Sequence, residues 1–137
     1  MSAPLRIPAV THRFIHHIGL IIEEAPSGTN RCTLEVQGMH LNSTGAVHGA
    51  VLFAMADTGM GKALYTTLNA GQLCATIEAK INYFKPVREG VIVCASALVN
   101  RGKSIASLES TITVGAEVVA RAFATYTVFE RKSQGSD

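Results

Sequence analysis

Asp57 stands apart from its neighbours because it is the only acidic residue between Glu35 and Glu78. It lies in the segment 49–61, Gly-Ala-Val-Leu-Phe-Ala-Met-Ala-Asp-Thr-Gly-Met-Gly, which otherwise has the composition of a buried helix. A carboxylate in such surroundings costs several kcal/mol unless it is paired, hydrogen-bonded or neutral. A carboxylate can also attack a carbonyl carbon or activate a water molecule. Asp57 is therefore the first candidate for a functional residue.

A polar loop, His-Leu-Asn-Ser-Thr-Gly-Ala-Val-His-Gly (40–49), precedes this helix and has the chemistry of a helix start and of a ligand-contacting loop. The first turn of a helix offers unpaired backbone N–H groups and a positive dipole end. Gly49 lies there, and its missing side chain lets a carbonyl oxygen reach the backbone. Asp57 is two turns further along, about 12 Å by helix rise. That distance is too great for both groups to serve one carbonyl within one chain, so a shared substrate requires two subunits.

The composition predicts one soluble domain over residues 1–137, with a polar tail from about residue 130. Charged residues make up 16% of the chain, below the roughly 25% of an average globular protein, and the mean hydropathy is +0.25. Subunit interfaces hide apolar area, so we expect a homo-oligomer, with a partly insoluble monomer as the alternative. The net charge of +2 and the scattered basic residues argue against a nucleic-acid partner.

The cysteine spacing and the termini bound the cellular setting. The three cysteines, Cys32, Cys74 and Cys94, fit no zinc pattern and lie in apolar stretches, so we expect buried thiols in a reducing compartment. His16 and His17 lack Cys or acidic partners at metal-ligand spacing, and no metal is expected. The N-terminus does not resemble a signal peptide, and no apolar run reaches the ~20 residues of a membrane span. A cytoplasmic location without membrane contact is expected.

The order of predicted elements is a short helix, two strands, one long helix and four strands. The apolar periodicity and turn signals place the helices at 8–18 and 47–68, and the strands at 19–24, 31–36, 73–84, 91–99, 105–114 and 118–129. The long helix is apolar on nearly every side, which is typical of a buried helix. Short turn signals between the last four strands favour antiparallel neighbours. The predicted fold class is α+β, with an antiparallel sheet wrapped around one long central helix.

The set Asn42, Gly45, His48, Gly49 and Asp57 resembles the pattern His-x-Asn-x-x-Gly-x-x-His-Gly-Gly, with a downstream helical Asp, of hotdog-fold acyl-CoA thioesterases. Within them it is similar to the phenylacetic-acid-degradation (PaaI-like) branch. Further matches are Thr-Ile-Glu-Ala-Lys-Ile-Asn-Tyr-Phe-Lys-Pro (76–86), Gly90, 101–104 and 119–126. The resemblance covers about 34–129. One departure is Ala50, which replaces the second glycine of His-Gly-Gly.

The resemblance implies an active site between two protomers that hydrolyses an acyl-CoA to a free acid and CoA. It implies that Asp57 is nucleophile or general base and that the Gly49 N–H stabilises the oxyanion. Asn42 would orient the thioester or water, Thr76 would hold water or Asp57, and His48 would contact the thioester or fix the loop. No cofactor is implied, because CoA is part of the substrate. The resemblance also implies that two such dimers pair as a tetramer.

Further residues are candidates for substrate binding. Gly45, Ala50 and Phe53 lie in or beside the loop and helix start, and Lys85, Arg88, Arg101 and Lys103 lie at turns where CoA phosphates could be met. For these four cations a solvated surface charge is the better supported reading, and Lys62 is expected to extend from the helix to solvent. A structural role remains the alternative for each catalytic candidate. Two other functions stay open, a hotdog hydratase or dehydratase that uses His48, and a non-catalytic acyl-CoA-binding protein.

Overall fold

The computed structural model of the protein describes residues 13–132. Within them the chain forms two α-helices, a 3₁₀ helix and six strands. The elements are α1 (Arg13–His17), β1 (Ile21–Glu23), β2 (Thr29–Glu35), the 3₁₀ helix (Gly38–His40), α2 (Gly49–Tyr65), β3 (Gln72–Tyr83), β4 (Val91–Arg101), β5 (Ile105–Val114) and β6 (Glu117–Glu130). The expected element order is confirmed, and most boundaries agree within a few residues. The first helix, expected over 8–18, is helical at Arg13–His17, while 8–12 lie outside the described residues.

The six strands form one sheet in the order β1-β2-β4-β5-β6-β3, and every neighbouring pair is antiparallel. Helix α2 packs on one face of this sheet, and the core lies between them. Its largest fully buried side chains are Leu34, Met55, Met60, Leu64, Ile92, Leu108 and Ile112. Burial of such side chains is the main favourable contribution to folding. The predicted α+β class, a sheet wrapped on one long helix, is confirmed.

The strand order corrects one expectation. The short break at 85–90 favoured β3 and β4 as neighbours, but β3 pairs with β6 at the far edge of the sheet. The intervening segment is a crossing anchored by backbone hydrogen bonds, from Phe84 N to Val119 O (2.8 Å) and from Val47 N to Val87 O (2.7 Å). The buried Val87 side chain fixes it to the core. As a result, the long strand β3 is an edge strand whose outer side is not paired within residues 13–132.

The alternating pattern of the sequence predicts that the odd-numbered residues from Leu73 to Tyr83 share one face of β3 and that Thr76 lies on the other face. A β-bulge in β3 corrects this prediction. The register with β6 shifts between Thr76 and Glu78, so Ile77 is extra and is 55% exposed. One extra residue exchanges the two faces of a strand. Before the bulge Thr76 therefore points towards α2, and after it Tyr83 does so.

Helix α2 is buried on one side only, which corrects the expectation of a helix buried all round. Gly59 lies on the buried side, where an added Cβ would come within 2.6 Å of Ser96 Oγ, so the glycine allows the close approach of helix and sheet. The other side carries Phe53 (37% exposed), the half-buried Asp57 and the half-buried Lys62. The sheet of one chain covers only one face of the helix, so an apolar helix surface is left for a further contact.

The cysteines are free, with Cys32 and Cys94 fully buried and Cys74 half-buried. No helix in residues 13–132 is long and apolar enough to cross a membrane. In the same residues no group of three or more His, Cys, Asp or Glu side chains is arranged to hold a metal ion.

Candidate active site

The Asp57 carboxylate is held by two hydroxyl groups that donate to the same oxygen. Thr76 Oγ1 donates to Oδ1 over 2.8 Å, and the Tyr126 hydroxyl donates to Oδ1 over 2.7 Å. The Tyr126 hydroxyl also lies 2.8 Å from the backbone oxygen of Asp57. No described residue bonds the second carboxylate oxygen, and no cation among residues 13–132 forms an ion pair with Asp57. One oxygen is thus fixed in position while the other remains available for chemistry.

Tyr126 is the functional candidate that the sequence analysis missed. Burial, and then the neighbouring Asp57, raise the pKa of the Tyr126 phenol above its ordinary value, so it stays protonated and can donate. The sequence did contain a signal. Residues 120, 122, 124 and 128 on the inward face of β6 are alanine or valine, and only Tyr126 brings a hydroxyl there. A polar group on an apolar face is the same kind of inconsistency that identified Asp57.

The β3–β6 register explains why these groups meet. Thr76 and Tyr126 are directly opposite each other in the antiparallel pair, so both side chains project from one face. That face packs against α2 at the level of Asp57. The three side chains line a groove of about 280 Å³, together with Thr58, Gly61, Lys62, Tyr65, Cys74 and Ala75. The bulge at Ile77 is what turns Thr76 inward, so it builds the site.

The N-terminus of α2 forms the second half of the candidate site. Gly49 is the first residue of the helix, and none of the described residues accepts a hydrogen bond from its N–H. The Tyr83 hydroxyl donates to Gly49 O over 2.8 Å, and its ring packs so closely that a Cβ at position 49 would lie 3.0 Å from Cζ. An unpaired N–H at a helix start, reinforced by the helix dipole, suits a developing oxyanion.

His48 caps the helix. The ring Nδ1 of His48 accepts a hydrogen bond from Ala50 N over 3.0 Å, and the backbone N–H of His48 donates to His40 O over 2.8 Å. In the neutral ring, an accepting Nδ1 places the proton on Nε2, and His48 as a whole is an exposed residue. This contact fits the expectation that His48 fixes the loop, and it leaves the Nε2–H free to donate.

The loop before the helix is ordered by Asn42. Its Oδ1 accepts from Thr44 N (2.9 Å), Thr44 Oγ1 (2.7 Å) and Ala46 N (3.2 Å). The side-chain oxygen is therefore committed to the turn, and only the amide NH₂ is left to contact a substrate. Gly45 adopts φ +80°, which favours glycine, and a Cβ there would lie 3.6 Å from the Arg88 guanidinium.

The two halves of the site do not meet within one chain. Asn42, Gly49 and Tyr83 line a groove of about 310 Å³ that is separate from the Asp57 groove. Gly49 and Asp57 lie on the same continuous helix, eight residues apart, so the separation of about 12 Å holds along its axis. The catalytic candidates thus fall into one group with Asp57 and Thr76 and another with Asn42, His48 and Gly49.

The remaining candidates lie at the periphery, and three of the four cations already have contacts. Lys85 pairs with Glu117 (3.0 Å), Arg88 donates to Thr44 O (3.1 Å), and Arg101 donates to the carbonyls of Gly102 and Lys103. Arg88 thereby holds the loop of Asn42. The side chain of Lys103 is exposed, and so are those of Ala50 and Phe53 on the open face of α2.

Comparison with known proteins gives three kinds of match. The sequence profile of the thioesterase superfamily matches residues 44–121, which include Gly49, Asp57 and Thr76. A candidate esterase from Deinococcus radiodurans is 30% identical over 118 residues, covering 85% of this chain and 78% of that protein.

Two solved structures are similar in three dimensions. A candidate thioesterase from Ralstonia eutropha, described as related to phenylacetic acid degradation, has a TM-score of 0.78 at 25% identity and covers 91% of this chain and 92% of its own. A thioesterase from Haemophilus influenzae has a TM-score of 0.86 at 20% identity and covers 98% and 96%. The second likeness concerns the fold alone. Together with the profile they confirm the hotdog fold and the PaaI-like resemblance expected from the sequence.

Proposed function

We propose that this chain, which belongs to the thioesterase superfamily, hydrolyses an acyl-CoA thioester to a free acid and CoA with Asp57 as the attacking group or general base. The observation that carries the proposal is the Asp57 carboxylate, which has one oxygen held by Thr76 and Tyr126 and the other unbonded among the described residues. The family membership makes the protein a thioester hydrolase. The acyl-CoA substrate and the roles of individual residues are the finer part of the proposal.

Two routes fit the single carboxylate. In the first, the free oxygen attacks the thioester carbonyl, the carbon–sulfur bond breaks and CoA leaves as the thiolate. Water then hydrolyses the acyl anhydride to the free acid and the Asp57 carboxylate, and the proton released balances the thiolate as the thiol. In the second, the carboxylate takes a proton from water as that water attacks, and the proton passes to the departing sulfur. In both, the carbonyl oxygen becomes negative and must be stabilised. The Gly49 N–H supplies that stabilisation, worth about 2.7–4 kcal/mol for one donor.

The two halves of the site are brought together by a second copy of the chain. Strand β3 is a long edge strand whose outer side has no partner strand among the described residues, and such an edge is suited to pairing with another strand. Thr76 near one end of β3 lines the Asp57 groove, and Tyr83 at the other end lines the Gly49 groove. A two-fold antiparallel pairing that sets Thr76 opposite Tyr83 of the partner subunit places each Asp57 groove beside the Gly49 groove of the other chain.

The remaining residues assist within this frame. Asn42 offers its NH₂ to the thioester or to the attacking water, and His48 offers its Nε2–H, while their other polar atoms order the loop. Thr76 and Tyr126 orient the carboxylate. No metal or redox group is required, because the developing negative charge is met by backbone and side-chain donors.

A further association of two dimers into a tetramer is part of the proposal. The face of the sheet that points away from α2 carries exposed apolar side chains, including Val99 (53%), Ile105 (44%) and Phe123 (52%). Apolar surface of this kind favours burial against another subunit. Light scattering of the purified protein distinguishes dimer from tetramer, and a monodisperse monomer would contradict both.

The function is tested by hydrolysis of a panel of acyl-CoA thioesters, with the released thiol measured by a thiol reagent. The Asp57→Asn variant keeps an oxygen that can accept from Thr76 and Tyr126 but loses the charge. We expect the wild-type protein to release thiol, and we expect the turnover of Asp57→Asn to be at least about a hundredfold lower. Glu35→Gln, at an exposed carboxylate on the end of β2, is the control and should retain activity. Equal turnover by Asp57→Asn and wild type would contradict the role of Asp57.

A further inference from the structure

Lys62 shares the Asp57 groove but takes no part in the chemistry described above. The groove is lined by Asp57, Gly61 and Lys62 among others, and a Cβ at Gly61 would lie 3.6 Å from the Tyr126 ring and hydroxyl. The Lys62 ammonium lies 6.0 Å from the centre of the Tyr65 ring, which lines the same groove. Asp57 and Lys62 are five residues apart on α2, about 7.5 Å along its axis.

The Lys62 side chain is half-buried and has no counter-ion among the residues that the structure describes. None of the ion pairs formed among residues 13–132 involves it, and Asp57 is the only carboxylate that lines the groove. Desolvation lowers the pKa of Lys62, which indicates that its charge is incompletely hydrated. The expectation from the sequence was a lysine that extends from the helix to solvent. A partly desolvated cation in a groove gains more from an anionic ligand than a fully hydrated one does.

We infer that the groove selects an acyl group that carries a second anionic group, a carboxylate, and that Lys62 binds this carboxylate while Asp57 acts on the thioester. The inference rests on the proposed thioesterase function and adds the substrate class. The thioester of a short dicarboxylic acid fits the spacing, since its two ends must reach from Asp57 to Lys62 within one groove, over about 7.5 Å of helix axis and about 140° of rotation around it. Tyr65 and Ala75 provide contacts for the methylene groups between the two ends.

The CoA diphosphate is the other anion of the substrate, and the geometry argues against it as the ligand of Lys62. The pantetheine arm separates the thioester sulfur from the diphosphate by a chain much longer than the Asp57–Lys62 separation. An extended arm therefore places the phosphates well beyond Lys62 when the thioester is at Asp57. The acyl group, which begins at the reacting carbonyl, is the part of the substrate that remains within the groove.

The test compares adipoyl and hexanoyl thioesters, which have equal carbon counts and differ in the terminal carboxylate. Each acyl group is presented both on CoA and on N-acetylcysteamine, which lacks phosphates. The variants are Lys62→Met, which keeps most of the length without the charge, and Lys62→Arg, which keeps the charge. Lys132→Met removes an exposed lysine far along the chain and is the control. Binding of free adipate and hexanoate, measured by calorimetry, gives a readout that does not need turnover.

We expect the wild type to prefer adipoyl over hexanoyl on either carrier, with the preference mainly in KM. Lys62→Met should lower kcat/KM for adipoyl thioesters by about tenfold, the value of one hydrogen-bonded charge contact, and leave hexanoyl unchanged. Lys62→Arg should recover most of the preference, and adipate should bind more weakly to Lys62→Met.

Three results would overturn the inference. If adipoyl and hexanoyl thioesters have equal kcat/KM values in the wild type, and again in Lys62→Met, the proposed acyl selectivity is wrong while the thioesterase function stands. A loss in Lys62→Met for both CoA thioesters, absent with N-acetylcysteamine, would assign Lys62 to the CoA phosphates instead. Release of no thiol from any thioester by the wild type would overturn the proposed function and this inference together.

Discussion

Replacement of Gly49 by proline removes one backbone N–H from the start of α2. Position 49 is the first helical residue, where proline is favoured because its missing N–H has no helical partner. The preceding residue, His48, has φ −59° and ψ 133°, an extended conformation that is compatible with a following proline. The backbone can therefore accept the substitution without unwinding the helix.

The side-chain atoms of proline are a separate perturbation, and alanine is the control for them. A Cβ at position 49 would lie 3.0 Å from Tyr83 Cζ and 3.1 Å from its hydroxyl oxygen, so the Tyr83 ring must shift by a few tenths of an ångström in either variant. Tyr83 is 49% exposed, and any change in its hydrogen bond to Gly49 O is common to the two variants. Gly49→Ala keeps the N–H and Gly49→Pro lacks it, so the difference between the two variants isolates the donor.

The expected difference follows from the value of an oxyanion donor. Loss of one such hydrogen bond costs about 2.7–4 kcal/mol in the transition state, so kcat of Gly49→Pro should lie about a hundredfold to a thousandfold below that of Gly49→Ala. KM should be similar in the two variants, because the charge on the oxygen develops only during reaction. The assay is thiol release from a saturating acyl-CoA, with circular dichroism to verify folding. Equal kcat values in two folded variants would refute the oxyanion role of Gly49.

Three further outcomes are expected. Tyr126→Phe should lower kcat by about tenfold to a hundredfold with little change in KM, since it removes a hydrogen bond to a charged group. Thr125→Val, on the opposite face of β6, should keep full activity, and a Tyr126→Phe enzyme with the kcat of the wild type would show that Thr76 alone positions Asp57. Gly59→Ala should lower the free energy of unfolding by about 1–3 kcal/mol in urea titrations, because the new methyl group meets Ser96 Oγ at 2.6 Å. Gly61→Ala, whose methyl group has 3.6 Å of space, should raise the free energy of unfolding by up to about 1 kcal/mol. Equal effects of the two substitutions would contradict the close approach at Gly59. Because the pKa of Tyr126 is raised, the folded state keeps a phenol proton that the unfolded state releases above about pH 10, so the contribution of Tyr126 to stability is complete below about pH 10 and is lost as the pH rises through the folded-state pKa. The fall in unfolding free energy above about pH 10 should therefore be shallower in Tyr126→Phe than in the wild type. An unchanged slope in the variant would contradict a contribution from the Tyr126 phenol.

Local patterns in the sequence were sufficient for the elements but not for their spatial order. The β-branched runs and the apolar helix gave the strands and α2 within a few residues, because periodicity reports which side of an element is buried. The position of β3 at the sheet edge depends instead on a crossing segment anchored by Val87 and Val119, contacts between residues far apart in the chain. The bulge at Ile77 was also hidden, since one extra residue leaves the composition of a strand unchanged.

The candidate site was predicted to a similar degree. Asp57 and Gly49 were found from their chemistry and their spacing along one helix, and these do not depend on tertiary structure. Tyr126 was missed because its partner is 69 residues away, and only the β3–β6 register brings the two together. Asn42 Oδ1 and Arg88 hydrogen-bond within the loop and order it. This structural role likewise depends on contacts that no local pattern of the sequence contains.

The central claim is that each site combines Asp57 of one chain with Gly49 of another, and mixed dimers test it most directly. Asp57→Asn and Gly49→Pro chains, each inactive alone, are co-expressed with different tags and the heterodimer is purified. If each site is shared between the two chains, one of the two sites in the heterodimer combines an intact Asp57 with an intact Gly49. The heterodimer should then recover about half of the wild-type activity per dimer. A heterodimer no more active than its parents would contradict the account, because a site built within one chain would be damaged in both subunits.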